Sequence, residues 1–281
     1  MACTSQTDAF RRPLSLAFTL ALLLGIFSVT RSHAANLRKL YPELAERKAS
    51  LDSVALVVDA IETEDVSEAV EDVLITDSRG YAEQAVQLFV AELKRKRFAI
   101  RRSAVLTLGA LVDPGKPFRC PDKTKPAHTD ASGFFVAASA DTTELFAPFF
   151  TDSSVLGDAE ALAGWRSMLA AVATATRHPG DSIIVMPAAI ALGARLGCDA
   201  LAIVSVQSHT VPGGRVATAP VPVGGVGVGI SYKTLIGSAT IELAVFDAHD
   251  GRLLWADSRF TPTLSHESLN FRAPDMVRSL P

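Results

Sequence analysis

The sequence is poor in the residues and spacings on which most enzyme sites depend. It has three cysteines and six histidines among 281 residues, and no two histidines stand three or four positions apart, as helical zinc ligands do. It contains no Gly-x-Ser-x-Gly elbow of a serine hydrolase. We therefore expect no catalytic residue, no metal site and no cofactor, although distant loops could still assemble histidine, aspartate and serine into a hydrolase site.

The chain also lacks a strong excess of charge and, after its first 34 residues, any long apolar run. It has 27 basic and 30 acidic residues, so the formal net charge is −3. A nucleic-acid-binding surface would need a basic stripe, and a membrane helix needs about 20 apolar residues. We expect no nucleic-acid partner and a soluble mature protein, large enough to bury a core without disulfides or metals.

The N-terminal residues have the pattern of a secretory signal peptide. Two arginines precede a charge-free apolar segment at residues 13–29, and small residues lead to a cleavage site between Ala34 and Ala35. An uncleaved membrane anchor is the alternative, but the apolar segment is short for one. We expect residues 1–34 to be removed on export across the inner membrane, and the mature protein to reside in the periplasm.

The cysteines give no sign of a lipid anchor. Cys3 precedes the apolar segment, whereas the acceptor cysteine of a lipoprotein follows it. Cys120 and Cys198 remain in a compartment that permits disulfides, so a bridge between them is one alternative. The other is a small buried thiol at Cys198, because that residue lies in the apolar context ARLGCDALAIV.

Apolar patterning predicts a single α/β domain over residues 35–281, with a mixed sheet, a C-terminal antiparallel hairpin, and helices on at least one face of the sheet. Three parts are predicted: residues 51–112 as a strand–helix–strand unit, residues 113–157 as an insertion rich in loops, and residues 158–281 as helices plus the C-terminal strands.

In the first part, a continuous β-branched run is followed by apolar residues at helical spacing. The β-branched run SVALVVDAI, residues 53–61, predicts a buried strand. The acidic stretch 62–77 has no period and is predicted to be irregular. Apolar residues between 82 and 93 recur at intervals of three and four, which predicts a helix with Ser78 as its N-cap. The sequence FAIRRS, residues 98–103, predicts a second strand.

The last part has the best-defined elements. Residues 157–178 and 187–197 have the amphipathic pattern of helices, and CDALAIVSVQ predicts a buried strand directly after them. Residues 238–260 predict an antiparallel hairpin with Asp250 and Gly251 in its turn. The alternation in this hairpin predicts an opposite face at Thr240, Glu242 and Ala244, and an apolar face formed by Ile241, Leu243, Val245, Leu253 and Trp255. A short helix closes the chain at residues 273–281.

The segment PVPVGGVGVGIS, residues 220–231, contains four glycines within six positions. A phosphate-binding loop would lead into a helix, but a predicted strand follows this segment, so phosphate binding is disfavoured. The simplest interpretation is a flexible connection between two antiparallel strands. The alternation of valine and glycine leaves another interpretation open, namely an edge strand or a membrane-inserting hairpin in an oligomer.

Two groups of polar residues have side chains that could bind a cation. One is an acidic group, more simply interpreted as a solvated face, and it comprises Glu62, Glu64, Asp65, Glu68, Glu71 and Asp72. The other consists of histidines in loop-like sequences, which lack metal-ligand spacing and are expected to be solvated. These are His128, His178, His209, His249 and His266.

The chain resembles a group of bacterial envelope proteins. LGARLGCDALAIVSVQ and ATIELAVFDAHDGRLLWADS are similar to the helix, strand and hairpin of the CsgG, LpoB and TolB N-terminal-domain families. The resemblance covers residues 51–281, apart from the insertion at 113–157. It implies an anticodon-binding-domain-like fold and a role in partner binding or self-assembly without catalysis. The shared positions are structural: Gly197, Asp199, Ala200, Asp247, Gly251 and Trp255.

Three functions are compatible with these observations. The first is an exported periplasmic protein that binds an envelope partner or itself and has no catalytic activity. The second is an oligomeric outer-membrane secretion or pore component, although CsgG-type pores use two membrane hairpins and this sequence offers one glycine-rich segment. The third is a hydrolase with a site assembled from distant loops. The sequence has no lipidation motif, and membrane contact by residues 223–230 stays open.

Overall fold

A computed structural model describes most of the chain that follows the N-terminal segment. The predicted signal peptide, the predicted cleavage site between Ala34 and Ala35, and Cys120 lie outside the described residues, so these predictions are not tested. The described residues are 41–67, 70–119, 128–129, 135–136, 145–178, 183–211, 217–223, 226–232 and 236–281.

A mixed seven-stranded sheet forms the centre of the described structure. Its strands run in the order β11-β10-β7-β1-β3-β6, and β2 pairs with the far end of β1. Strand β1 is parallel to both β3 and β7, whereas the pairs β1–β2, β3–β6, β7–β10 and β10–β11 are antiparallel. The strands are β1 (Val54–Ser67), β2 (Val70–Val73), β3 (Ile100–Leu108), β6 (Phe150–Thr151), β7 (Ala200–Val211), β10 (Ile236–Asp247) and β11 (Leu253–Thr261).

Two further antiparallel pairs lie in the described residues outside this sheet. The short strands β4 (His128–Thr129) and β5 (Phe135–Val136) pair with each other within the predicted insertion. Strands β8 (Ala217–Val223) and β9 (Val226–Tyr232) form a hairpin between β7 and β10. The glycine-rich segment therefore connects two antiparallel strands, β7 and β10, as predicted, but it does so as a hairpin with regular strands.

Helices cover both faces of the sheet. Leu56, Val58 and Phe89 belong to one buried cluster, formed where α2 and α5 pack on the sheet. Val57 and Trp165 belong to a second cluster, beneath α3 and α4 on the opposite face. The described helices are α1 (Glu43–Arg47), α2 (Ile75–Arg95), α3 (Ala159–Arg177), α4 (Pro187–Leu196) and α5 (His266–Ser279), with a 3₁₀ turn at Lys48–Ser50.

The predicted mixed α/β sheet with packed helices is thus confirmed. Because both faces are covered, strands β1 and β7 contain continuous apolar runs at residues 54–58 and 200–204. The predicted alternation of the first hairpin arm is confirmed, since Ile241, Leu243 and Val245 lie in one buried cluster and Ala244 in the other. Both faces of this strand are buried, Glu242 included. Leu253 is misplaced, because a register shift after Val245 puts it under α3 and α4 while Trp255 stays on the other face.

The acidic stretch after residue 61 is more ordered than its sequence indicates. Strand β1 continues through it to Ser67, and β2 returns antiparallel. Helix α2 begins at Ile75, three residues before the predicted N-cap. Ser78 lies inside the first turn of α2, where its hydroxyl donates to the Leu74 carbonyl oxygen and accepts from the Glu62 backbone N–H. Ser78 therefore connects α2 to β1 and does not cap the helix.

Several positions of the envelope-protein pattern have structural roles. Gly197 ends α4 in the left-handed region, with φ of 63°, where glycine has no steric penalty. Asp199 accepts hydrogen bonds from both the backbone N–H and the hydroxyl of Ser53, each at 2.9 Å. These contacts align the starts of β7 and β1.

Two helical glycines should respond in opposite directions to a methyl group. A Cβ on Gly193 of α4 would overlap the Cβ of Ala248, whereas a Cβ on Gly80 of α2 would have its nearest neighbour, a ring carbon of His266, at 3.8 Å. Gly193→Ala should therefore lower the free energy of unfolding by about 1–3 kcal/mol through overpacking. Gly80→Ala should raise it by about 0.5–1 kcal/mol, because alanine restricts the unfolded chain.

Urea-induced unfolding of the two variants beside the wild type measures both effects. An equal shift of the two midpoints in the same direction would contradict the close approach of α4 to the turn after β10.

Candidate functional site

The carboxyl ends of the parallel strands β1, β3 and β7 meet at one edge of the sheet, which we call the carboxyl edge. Ligands of open α/β sheets bind beyond this edge, because the loops that follow neighbouring strands separate there. Here β1 turns into β2, β3 leads into the insertion, and β7 leads into the β8–β9 hairpin. Strand β2, the insertion and the β8–β9 hairpin therefore all leave the sheet from this edge.

A cluster of polar side chains lies where β1, β2 and β7 converge at the carboxyl edge. The Nε2 atom of His209 lies 3.2 Å from Oδ2 of Asp65, and its Nδ1 atom lies 3.5 Å from Oε1 of Glu71. The Thr63 hydroxyl is 3.0 Å from the same Nδ1. We call Thr63, Asp65, Glu71 and His209 the histidine cluster.

The histidine cluster is partly open to solvent. The side chains of His209 and Asp65 are 39% and 40% exposed, whereas that of Glu71 is 13% exposed. Partial burial by itself would raise the pKa of Glu71, but hydrogen bonds from Lys116 and Thr63 outweigh that effect and hold the pKa below its ordinary value. Glu71 is therefore a carboxylate at neutral pH and forms an ion pair with Lys116.

A second group of polar residues crosses the sheet beneath α3. Asp59 of β1 lies opposite Thr107 and opposite Ser205 of β7. Ser205 in turn lies opposite Glu242 of β10, which lies opposite Ser258 of β11. Directly opposed residues point to the same face of a sheet, so these five side chains form one row, which we call the polar row.

Asp59 is fully buried within the polar row. Its Oδ1 atom accepts hydrogen bonds from the Thr107 hydroxyl at 2.6 Å and the Ala110 backbone N–H at 3.1 Å. The indole of Trp165 donates to the Thr107 oxygen at 2.8 Å. Within the described part of the chain Oδ2 has no hydrogen-bond partner. Burial raises the pKa of Asp59 to about 6, although these hydrogen bonds and Arg166 counteract it.

Glu242 repeats this arrangement two strands away. It is buried, one oxygen accepts from the Thr176 hydroxyl at 3.0 Å, and the other has no partner among the described residues. Burial raises its pKa, with opposing contributions from Thr176 and Arg177. Since α3 covers both carboxyl groups, the polar row joins helix to sheet and is closed to a substrate.

A groove of about 350 Å³ lies between α3 and α4. It is lined mainly by apolar side chains such as Trp165, Met168 and Leu192, with Glu160 and Arg195 as charged groups. Arg195 already donates to Asp158 and to the carbonyl oxygen of Val155. The groove therefore offers apolar surface but few polar groups free to orient a ligand.

The structure separates the acidic residues that the sequence places together. Asp65 and Glu71 contact His209. The sequence predicts a loop at His209, but this residue lies on β7. Asp72 pairs with Arg119 at 2.9 Å. Glu62 is nearly buried, and its pKa rises to about 7 through burial, then through Asp77 and Glu64. Glu68 lies outside the described residues.

The other histidines are dispersed. His178 ends α3 and His249 lies in the turn after β10, where Nε2 is 3.3 Å from Oδ1 of Asp199. His266 begins α5 and contacts Gln84, and His128 lies in β4. Only strand pairing brings His209 to the acidic residues, so no spacing in the sequence could have identified this cluster.

Cys198 is half-buried at the end of α4, and its thiol lies 3.8 Å from the carbonyl oxygen of Gly193. Burial is the main cause that raises its pKa. Because Cys120 lies outside the described residues, the disulfide between them stays a prediction. No helix among the described residues is long and apolar enough to cross a membrane.

The stability of the protein should depend on the protonation of Asp59. Its pKa rises from 3.8 to about 6 on folding, so the folded state keeps a proton that the unfolded chain releases. The contribution of Asp59 to stability is therefore complete below about pH 4 and is lost as the pH rises through 6. Two pKa units correspond to roughly 3 kcal/mol.

Urea unfolding of wild type and Asp59→Asn at about pH 4 and pH 7.5 tests this dependence. Between pH 4 and pH 7.5, the unfolding free energy of the wild type should fall by roughly 3 kcal/mol relative to that of Asp59→Asn. The exposed Asp52→Asn serves as the control and should follow the wild type at both. The same difference for Asp59→Asn at both pH values would contradict the raised pKa.

No model of a known protein family matches this chain, and neither a curated protein nor a solved structure shows a significant match to it. The similarity to CsgG, LpoB and TolB therefore remains an expectation from the sequence.

Proposed function

We propose that the protein is an exported, non-catalytic binding or assembly factor of the bacterial cell envelope, and that it contacts an envelope partner or a second copy of itself through the β8–β9 hairpin. The signal-peptide pattern supports the location. The pattern of residues in the hairpin supports the mode of binding and is the observation on which the proposal depends.

The register of the hairpin divides its residues into two sets. Val221 lies opposite Val228, and Pro222 lies opposite Gly227. At the period of two that a β-strand has, the sequence of the hairpin divides into one set of apolar positions and one set of threonine, serine, proline and glycine positions. The apolar set is Ala217, Ala219, Val221, Val223, Val226, Val228, Ile230 and Tyr232.

A two-stranded hairpin of this composition favours association. An isolated hairpin is at best marginally stable in water, and it needs a further surface against its apolar face. The sequence from 217 to 232 contains no charged residue, so it lacks the charges with which exposed strands avoid pairing with other chains. These properties suit a segment that is covered in a complex.

The contacts of the polar groups support a role without catalysis. The two acids of the polar row are covered by α3, as described above. Within the described residues, the ring nitrogens of His209 contact Asp65, Glu71 and the hydroxyl of Thr63, and that hydroxyl donates its proton to the Glu71 carboxylate. A hydroxyl whose proton goes to a carboxylate is not activated by the imidazole, so this arrangement lacks the nucleophile–base pair that covalent hydrolases use.

Charges on the two faces of the hairpin should have different effects on binding. Burial of one valine side chain contributes about 1.5–3 kcal/mol, so Val221→Asp and Val228→Asp should each weaken association at least tenfold. Thr218→Asp and Ser231→Asp add the same charge to the opposite face and should leave association close to wild type. Equal effects from both pairs would contradict a one-sided interface.

Two measurements follow this association. Light scattering during size-exclusion chromatography measures self-association of the purified variants. A photo-crosslinking amino acid at position 228 or 231, introduced in cells, identifies contacts with another envelope protein. Crosslinks at 228 and their absence at 231 are expected.

A pore or secretion component is the second candidate, because the hairpin is free of charge and alternates as a lipid-facing strand does. The seven residues of each arm are fewer than the roughly 9–11 of a spanning β-strand, which favours the binding role. Replacing residues 217–232 by a short Gly-Ser turn should abolish membrane association of an inserted hairpin. Membrane fractionation that finds the shortened protein in the membrane as before would exclude this candidate.

A further inference from the structure

The backbone holds the histidine cluster in place before any ligand arrives. Thr63 of β1 lies opposite His209 of β7, and Asp65 of β1 lies opposite Glu71 of β2. Thr63 and Asp65 are two positions apart on one strand, so they point to the same face. Strand pairing on both sides of β1 therefore brings one imidazole and two carboxylates together without a flexible loop.

The hydrogen bonds of the cluster leave one ring nitrogen of His209, Nε2, facing another hydrogen-bond acceptor. The single hydroxyl proton of Thr63 is donated to the Glu71 carboxylate, so its oxygen accepts from the Nδ1–H of His209. In that tautomer Nε2 carries a lone pair, yet it faces Oδ2 of Asp65 at 3.2 Å. Two electron-rich atoms at this distance repel each other unless a cation, either a proton or a metal ion, lies between them.

The distances and exposure suit a metal ion. One ligand atom from each of Asp65, Glu71 and His209 lies within 4.8 Å of the others. Ligands bonded at about 2.0–2.2 Å to a common ion lie roughly 3–4.4 Å apart, so small rotations of these side chains would let them share one. Asp65 and His209 are exposed enough for an ion to enter from solvent.

We infer that Asp65, Glu71 and His209 bind one divalent transition-metal ion, with Thr63 fixing the tautomer of the imidazole. One nitrogen and two carboxylate oxygens match Zn²⁺ or Mn²⁺ better than Ca²⁺, which prefers six to eight oxygen ligands. A hydrogen bond from the second ring nitrogen of a metal-binding histidine is the usual supporting contact, and Thr63 accepts it here. The three protein ligands leave further positions of the ion to water.

Lys116 determines how easily the ion binds. Its ammonium group occupies Glu71 in the absence of metal, and its side chain is 47% exposed, so it can turn into solvent when an ion arrives. Removing its charge should therefore strengthen metal binding. If the ion pair of Lys116 and Glu71 had only a structural role, removing the charge of Lys116 would not strengthen metal binding.

The test is a titration of the purified, untagged full chain with Zn²⁺ and with Mn²⁺ against a chromogenic chelator. The wild type should bind one equivalent. His209→Gln and Asp65→Asn should each weaken binding at least tenfold, and Thr63→Val should weaken it by about tenfold, as for other supporting contacts. Lys116→Gln should tighten binding.

His249→Gln is the matched control, because His249 also faces a carboxylate, that of Asp199, at 3.3 Å. It should bind as the wild type does, since no second carboxylate joins that pair among the described residues. Equal losses in His209→Gln and His249→Gln, or wild-type binding of less than one equivalent, would overturn the inference.

A second measurement uses the wild type alone and does not depend on the folding of a variant. Carbethoxylation of each histidine by diethylpyrocarbonate is followed by mass spectrometry with and without Zn²⁺. The metal should slow modification of His209 at least severalfold and leave His249 unchanged. Modification of His209 at the same rate with and without metal would also overturn the inference, whatever the function of the β8–β9 hairpin.

Discussion

The parallel pairing of β1 with β7 is the interaction on which the rest of the structure depends. The two strands stay in register from Val54 opposite Ala200 to Glu64 opposite Thr210. Strand β3 adds to the free side of β1, and β10 adds to the free side of β7. Helices then pack on both faces. Because the strands in the middle have no solvent face, their burial supplies both halves of the core.

Because this pairing buries the middle of the sheet, a polar residue there loses its contact with water at a cost in free energy. The protein places such residues in two ways. Asp59 and Glu242 are enclosed in the polar row, where burial raises the pKa of each and favours the uncharged form. A neutral acid can donate as well as accept a hydrogen bond, so it suits a site between a helix and a sheet better than an isolated charge does. Trp165 and Thr176 connect this row to α3.

Farther along the same strands, the polar residues reach the carboxyl edge and become partly exposed. Thr63 and His209 continue the pairing of β1 and β7 beyond the helix-covered core. The histidine cluster therefore has the rigidity of the sheet and the accessibility of a surface. The β8–β9 hairpin leaves β7 only a few residues later, so a charged cluster and an uncharged hairpin both follow from the end of one strand.

The sequence by itself determined the secondary structure wherever a period or a terminus signal was strong. Helices α3 and α4 lie where the apolar stripes predict them, with Gly197 at the end of α4, and β1 begins within the predicted β-branched run. These features follow from local rules, namely the helical period, the permissive backbone of glycine and the β propensity of branched side chains.

Only the tertiary structure decided what the strands do beyond those local signals. The acidic residues after Ile61 form strands because β7 and β2 pair with them, although their composition is typical of a solvated loop. Alternation places Glu242 on the face opposite Ile241 and Leu243, but only the packing of α3 on that face buries it. His209 meets Asp65 and Glu71 across 144 and 138 positions of sequence only through the pairing of β1 with β7 and β2. Pairing partners and covering layers are long-range choices, and no pattern within one strand encodes them.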